Sequence, residues 1–107
     1  MPRAQRYTLA FAPEVVQDLG AIDRKFHAIL RKRIHQSLVV EPDRETRNRK
    51  PLDVPAPYGS QWELRFGPSN RYRVFYEIER DAAIVTILAI GVKERDVLRI
   101  GREEYNR

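Results

Sequence analysis

The chain has 107 residues, no cysteine, and 20 Lys plus Arg against 15 Asp plus Glu, for a formal net charge of +5. That length predicts one domain over residues 1–107 around one core, and the missing thiols exclude disulfides and thiolate metal sites and fit a reducing cytoplasm. No segment approaches the roughly 20 apolar residues of a membrane span, and the basic balance predicts a polyanionic partner such as nucleic acid or an acidic protein segment.

Tyr7 to Phe11 alternates large and small side chains as a short strand does, and Pro13 is placed to open a helix. Val15, Val16, Leu19 and Ile22 recur at helical spacing until Gly20 and Ala21 break the pattern. Asp23 is placed to cap a second helix, on which Phe26, Ile29, Leu30, Ile34 and Leu38 form an apolar stripe, with Arg24, Lys25, Arg31, Lys32 and Arg33 on the other faces. His27 and His35 lack a third ligand, so neither a metal nor any other cofactor is expected, and both read as surface side chains. Residues 41–58 carry four prolines and read as a basic loop containing Arg44, Arg47, Arg49 and Lys50, from which Leu52 tucks back onto the body.

From Trp62 the period becomes two. Trp62, Leu64 and Phe66 face the core while Glu63 and Arg65 face away; after a turn at Gly67-Pro68-Ser69-Asn70, Tyr72, Val74, Tyr76 and Ile78 alternate with Arg71, Arg73, Phe75 and Glu77. Ile84 to Ile90 is an apolar run suited to a central strand, closed by Gly91. Lys93 to Tyr105 reads as a short charged helix resting on Val97, Leu98 and Ile100. The expectation is an α+β fold: a small antiparallel sheet with two N-terminal helices packed on one face and a short C-terminal helix.

Strand alternation then puts Glu63, Arg65, Arg71 and Arg73 on the face away from the helices, with Phe75 exposed beside them. A polar outer face is ordinary for an antiparallel sheet. Two arginines on neighbouring strands nonetheless repel unless an anion, Glu63 or Glu77 offsets them, and the planar guanidinium suits phosphate oxygens. The loop ending at Lys50 and the strand end at Lys93 add charge to the same groove.

Leu52, Trp62-Glu-Leu-Arg65, Tyr72-Arg73-Val-Phe-Tyr76 and Ile87-Leu-Ala-Ile-Gly91 resemble the RelE/ParE superfamily of bacterial toxin–antitoxin toxins. The resemblance extends to the opening strand ending in Phe11-Ala-Pro13 and to the paired helices. It implies a cytoplasmic toxin with a cognate antitoxin as partner. In the endonuclease branch it further implies ribosome-dependent cleavage of mRNA without metal, by attack of the ribose 2'-OH on the phosphodiester. The RelE-like branch is favoured here, with Arg65 and Arg73 as the phosphate clamp, Lys93 on the leaving oxygen and Glu63 as base. Lys50, Arg49, Arg71, Arg47 and Tyr105 are the accompanying RNA-binding candidates. The alternatives are a ParE-like inhibitor of DNA gyrase, using the same fold without catalysis, and a non-catalytic RNA-binding homologue. The segment Val92 to Leu98 departs from active relatives, which carry an aromatic or histidine soon after the last strand.

Overall fold

The computed structural model describes residues 5–53 and 56–105. The strand β1 (Thr8–Phe11) leads through Pro13, already at helical angles, into α1 (Glu14–Gly20). A single 3-10 turn at Arg24–Phe26, capped by the Asp23 carboxylate accepting from the Lys25 N–H at 3.0 Å, then leads into α2 (His27–Leu38). The two helices are pinned together by His27, which is half-buried rather than a surface side chain. Its Nε2 stands 2.8 Å from the Leu19 carbonyl and 2.9 Å from that of Ile22, and since both are acceptors, Nε2 carries the proton.

After α2 come β2 (Arg49–Pro51), β3 (Trp62–Phe66), β4 (Tyr72–Glu79), β5 (Ile84–Glu94), β6 (Val97–Ile100) and β7 (Glu103–Glu104). They lie in the order β2-β3-β4-β5-β6-β7, each antiparallel to the next, while β1 joins β5 in parallel. β5 is therefore central, and its apolar run is covered as expected. A bulge between Phe75 and Tyr76 shifts its register with β4.

Both helices pack on one sheet face. Val15, Ile22, Leu30, Ile34 and Leu38 meet Leu64, Phe66, Tyr72, Val74, Tyr76, Val85, Ile87 and Ile90 in the main core. Tyr76 anchors the loop that follows α2. Its hydroxyl donates to the Pro42 carbonyl at 2.8 Å, and burial pushes its pKa well above the ordinary tyrosine value. Ile29, assigned to the apolar stripe, is instead 57% exposed, because the buried line runs Leu30, Ile34, Leu38 and Ile29 falls to one side of it.

Three further sequence expectations fail for identifiable reasons. The segment from Lys93 to Tyr105 is not a helix: β5 runs on to Glu94, and β6 and β7 fold back beside it. Arg95 at φ 57° and Gly101 at φ 64° supply the turns, and alternation of Leu98 and Ile100 with Arg99 is a strand period that the surrounding charges disguise. The stretch 41–58 is not wholly loop, since Arg49–Pro51 pairs with β3, its one proline lying at the outer edge strand where a missing donor is tolerated. Phe75 is completely buried rather than exposed. It forms a second cluster with Ala89, Leu98 and Ile100, against which Leu52 and Tyr105 pack, so the sheet has apolar cover on both faces. Among the described residues no helix is long and apolar enough to cross a membrane.

Candidate functional site

Arg65 and Arg73 stand directly opposite each other across β3 and β4, on the face away from the helices. Their mutual repulsion is offset by Glu63, two residues along β3 on that face. Glu63 Oε1 accepts from Arg65 Nε at 2.8 Å, and Oε2 lies 3.6 Å from Arg73 Nη1. The carboxylate is sealed in, with its side chain at 0% exposure, and the Arg73 side chain shows only 8%; Arg65, at 34%, is the member that reaches solvent. Arg73 is fixed further by its Nε, which donates to the Asn70 carbonyl at 2.8 Å. A buried carboxylate between two cations satisfies charges that neither burial nor the sheet could otherwise tolerate. The arrangement is a rigid mount that presents one guanidinium outward.

The second cluster builds the wall beside it. Gly91 lies across from Arg73 on one side and Ile100 on the other. A Cβ there would stand 2.9 Å from the Arg99 carbonyl oxygen and from Leu98 Cδ1, so only glycine lets β6 close over this point.

The other candidates divide by face. Lys50 is exposed on β2 opposite Glu63, and Lys93 lies two residues beyond Gly91, so the register puts both on the Arg65 face. Tyr105 reaches it too, but as packing: its N–H donates to the Leu98 carbonyl at 2.8 Å and its ring rests on the second cluster. Arg47 is exposed in the loop before β2. Arg49 points to the helix side, where Nη1 donates to the Ser37 and Glu41 carbonyls at 2.8 and 2.7 Å and closes the end of α2. Arg71 also leaves the group. It precedes β4 in a turn with Ser69 and Asn70 at positive φ, so the strand alternation does not extend to it. It pairs with Glu94 and lies over the Tyr72 ring, on the helix side of the sheet.

The burial of one acid in the first helix, Asp18, was not anticipated from the sequence, where Glu14 and Asp18 simply suit the early helical turn. Asp18, on α1, is 4% exposed and accepts from the Ile90 N–H at 3.0 Å. Burial raises its pKa above the ordinary carboxylate value, with Glu14 adding to the rise and the Ile90 hydrogen bond opposing it. The signal was its spacing: Asp18 follows the buried Val15 by three residues on α1, so the carboxylate sits on the face that turns inward. Among the described residues no cluster of three or more His, Asp or Glu is placed to hold a metal ion.

None of the curated proteins compared matches this chain. Among solved structures, the toxin–antitoxin complex RelBE2 from Mycobacterium tuberculosis contains a similar chain, with 24% identity and a TM-score of 0.66, covering 90% of this chain and 99% of that one. The likeness extends the fold already described to nearly the whole of both chains. Residues 9–97, from the first strand through the mount of Arg65 and Arg73 to the start of β6, match the family described as the ParE toxin of the type II toxin–antitoxin system parDE. With that match spanning most of the chain, the protein belongs to the ParE toxin family, within the RelE/ParE superfamily of toxin–antitoxin toxins.

Proposed function

We propose that this toxin arrests growth by gripping DNA gyrase through protein contact, without cleaving RNA, and that a cognate antitoxin neutralises it. The observation that carries this reading is the burial of Glu63. In-line cleavage needs a proton acceptor at the attacking hydroxyl and cationic donors open to the phosphate. Here Glu63, the carboxylate between the arginines, is out of reach of substrate and is spent on holding them. Arg73, the deeper half of the expected clamp, is spent likewise on Glu63 and the Asn70 carbonyl. Glu63 is thus a positioning residue for Arg65 rather than a base, and Tyr105 is a packing residue rather than a stacking platform.

A second reading, ribosome-dependent mRNA cleavage, draws support from the cationic side chains that remain: Arg65, Lys50 and Lys93 share one face and would attract a phosphate backbone. The two are separated by assaying the purified protein in parallel. Gyrase supercoiling is expected to be blocked while mRNA on programmed ribosomes stays intact. Discrete cleavage of that mRNA, lost in Arg65→Ala, would overturn the first reading in favour of the second.

A further inference from the structure

The net charge of the chain is concentrated on one element. Between Arg24 and Val40 stand five basic residues, Arg24, Lys25, Arg31, Lys32 and Arg33, and no Asp or Glu; elsewhere fifteen Lys and Arg are matched by fifteen acids. The whole formal charge of +5 therefore belongs to α2 and the turn that leads into it. All five residues are exposed, and none forms an ion pair among the described residues. Arginines elsewhere in the fold are occupied by acceptors: Arg49 by two carbonyls, Arg65 and Arg73 by Glu63, Arg80 by Asp43. Two of the five cations on the helix side are instead held in place without being neutralised. Lys25 Nζ lies 5.1 Å from the centre of the Phe26 ring and Arg33 Cζ 5.5 Å from that of Phe66, and both rings pack against Tyr72. A ring face fixes the position of a cation while leaving a guanidinium's N–H edge free to donate.

Like charges gathered on one surface repel, and an anion laid over them relieves the repulsion. To meet them all, that anion must carry charge repeatedly along the roughly 18 Å of α2. A phosphate backbone does so. We propose that the outer face of α2 binds the backbone of duplex DNA, its cations contacting phosphates without reading sequence. Three features favour this partner over other polyanions. An acidic protein segment needs an apolar centre to its interface, and Ile29 is the one large apolar side chain that α2 exposes. A single strand needs open rings on which to stack its bases, whereas Phe66 is buried and Phe26 is packed on Tyr72. The convex side of a helix fits the wide major groove of B-form DNA but not the deep, narrow one of A-form RNA. The helices cover the sheet face opposite Arg65, so the proposal does not rest on either reading of the toxin's target.

The test is fluorescence anisotropy of a labelled mixed-sequence DNA duplex of about 20 base pairs, titrated with the full chain over a series of salt concentrations. Saturable binding is expected, with log K falling against log salt at a slope of roughly −3 to −4.5, as three to five phosphate contacts require. The double variant Lys32→Gln/Arg33→Gln is expected to flatten that slope by about 2 and to weaken binding at least about tenfold. Lys50→Gln/Lys93→Gln removes the same charge from the Arg65 face and is expected to change affinity less than about twofold. No saturable binding, a slope near zero, or equal losses in the two double variants would overturn the proposal. Tighter binding of a single strand or of an RNA duplex of the same sequence, or equal binding of polyglutamate, would overturn duplex DNA as the partner.

Discussion

Glu63 and Arg65 share one hydrogen bond, yet their removal has different consequences. Glu63 is sealed from water between two guanidinium groups, so Glu63→Gln leaves Arg73 buried without its countercharge. A loss of roughly 3 kcal/mol of unfolding free energy is expected, read as a lowered urea midpoint. Arg65→Ala removes the partly exposed partner and leaves Arg73 as countercharge to Glu63, so it is expected to cost less, about 2 kcal/mol, which makes it the variant with which to probe function in a folded protein. Strand alternation in the sequence sufficed to set these two arginines side by side and to name Glu63 and Glu77, with an external anion, as what could offset them. It could not give their depth. Burial on that face comes from Phe75, Leu98 and Ile100, residues of three strands, and from the course of the chain after Gly91, which periodicity in a single strand does not report.

At the scale of elements, the misread C-terminal segment and the unanticipated burial of Asp18 have a common origin in β5. On one edge this strand pairs with β1 through Ile87 and with β6 from Gly91 onward, and in the interval between them the Ile90 N–H is taken by Asp18 of α1. A helix side chain thus replaces a strand for one residue. A carboxylate in that position holds its proton more tightly folded than unfolded. Its contribution to stability is therefore largest at low pH and declines as pH rises from the usual carboxylate value of 3.8 through the higher value it has in the fold. Asp18→Asn is expected to remove that decline, so urea unfolding across this range should show a flatter pH dependence in the variant than in the parent chain. The two helices, the β3–β4 hairpin and the central strand were all legible, because each carries many residues of one period. β2 and β7, with three and two residues, are too short to show a period at all.

For the whole molecule, the bulk charge proved a poor guide to where charge matters. Arg49 fastens the end of α2 and Arg71 pairs with Glu94, so part of the basic excess maintains the fold, while two acids, Glu63 and Asp18, are more deeply buried than Arg73. Family membership was readable because its signature residues, Trp62 to Arg65 and Tyr72 to Tyr76, are the same ones that form the central hairpin and mount the arginines. Mode of action was less so, since it depends on which of those groups remain open.

The parallel pairing of β1 with β5 joins Thr8 to Ile84 and Phe11 to Ile87, contacts between nearly opposite ends of the described chain. Such a closure costs chain entropy that grows with the length of chain it spans. A chain cut after Glu79 retains both helices and the β3–β4 hairpin but loses the strand that joins them to β1. It is expected to lack near-ultraviolet circular dichroism and to be digested rapidly by protease. During synthesis the same dependence acts as a delay. The nascent toxin can pair β2, β3 and β4 but cannot join them to β1 until β5 has been made, so the complete sheet forms only when most of the polypeptide has been synthesised.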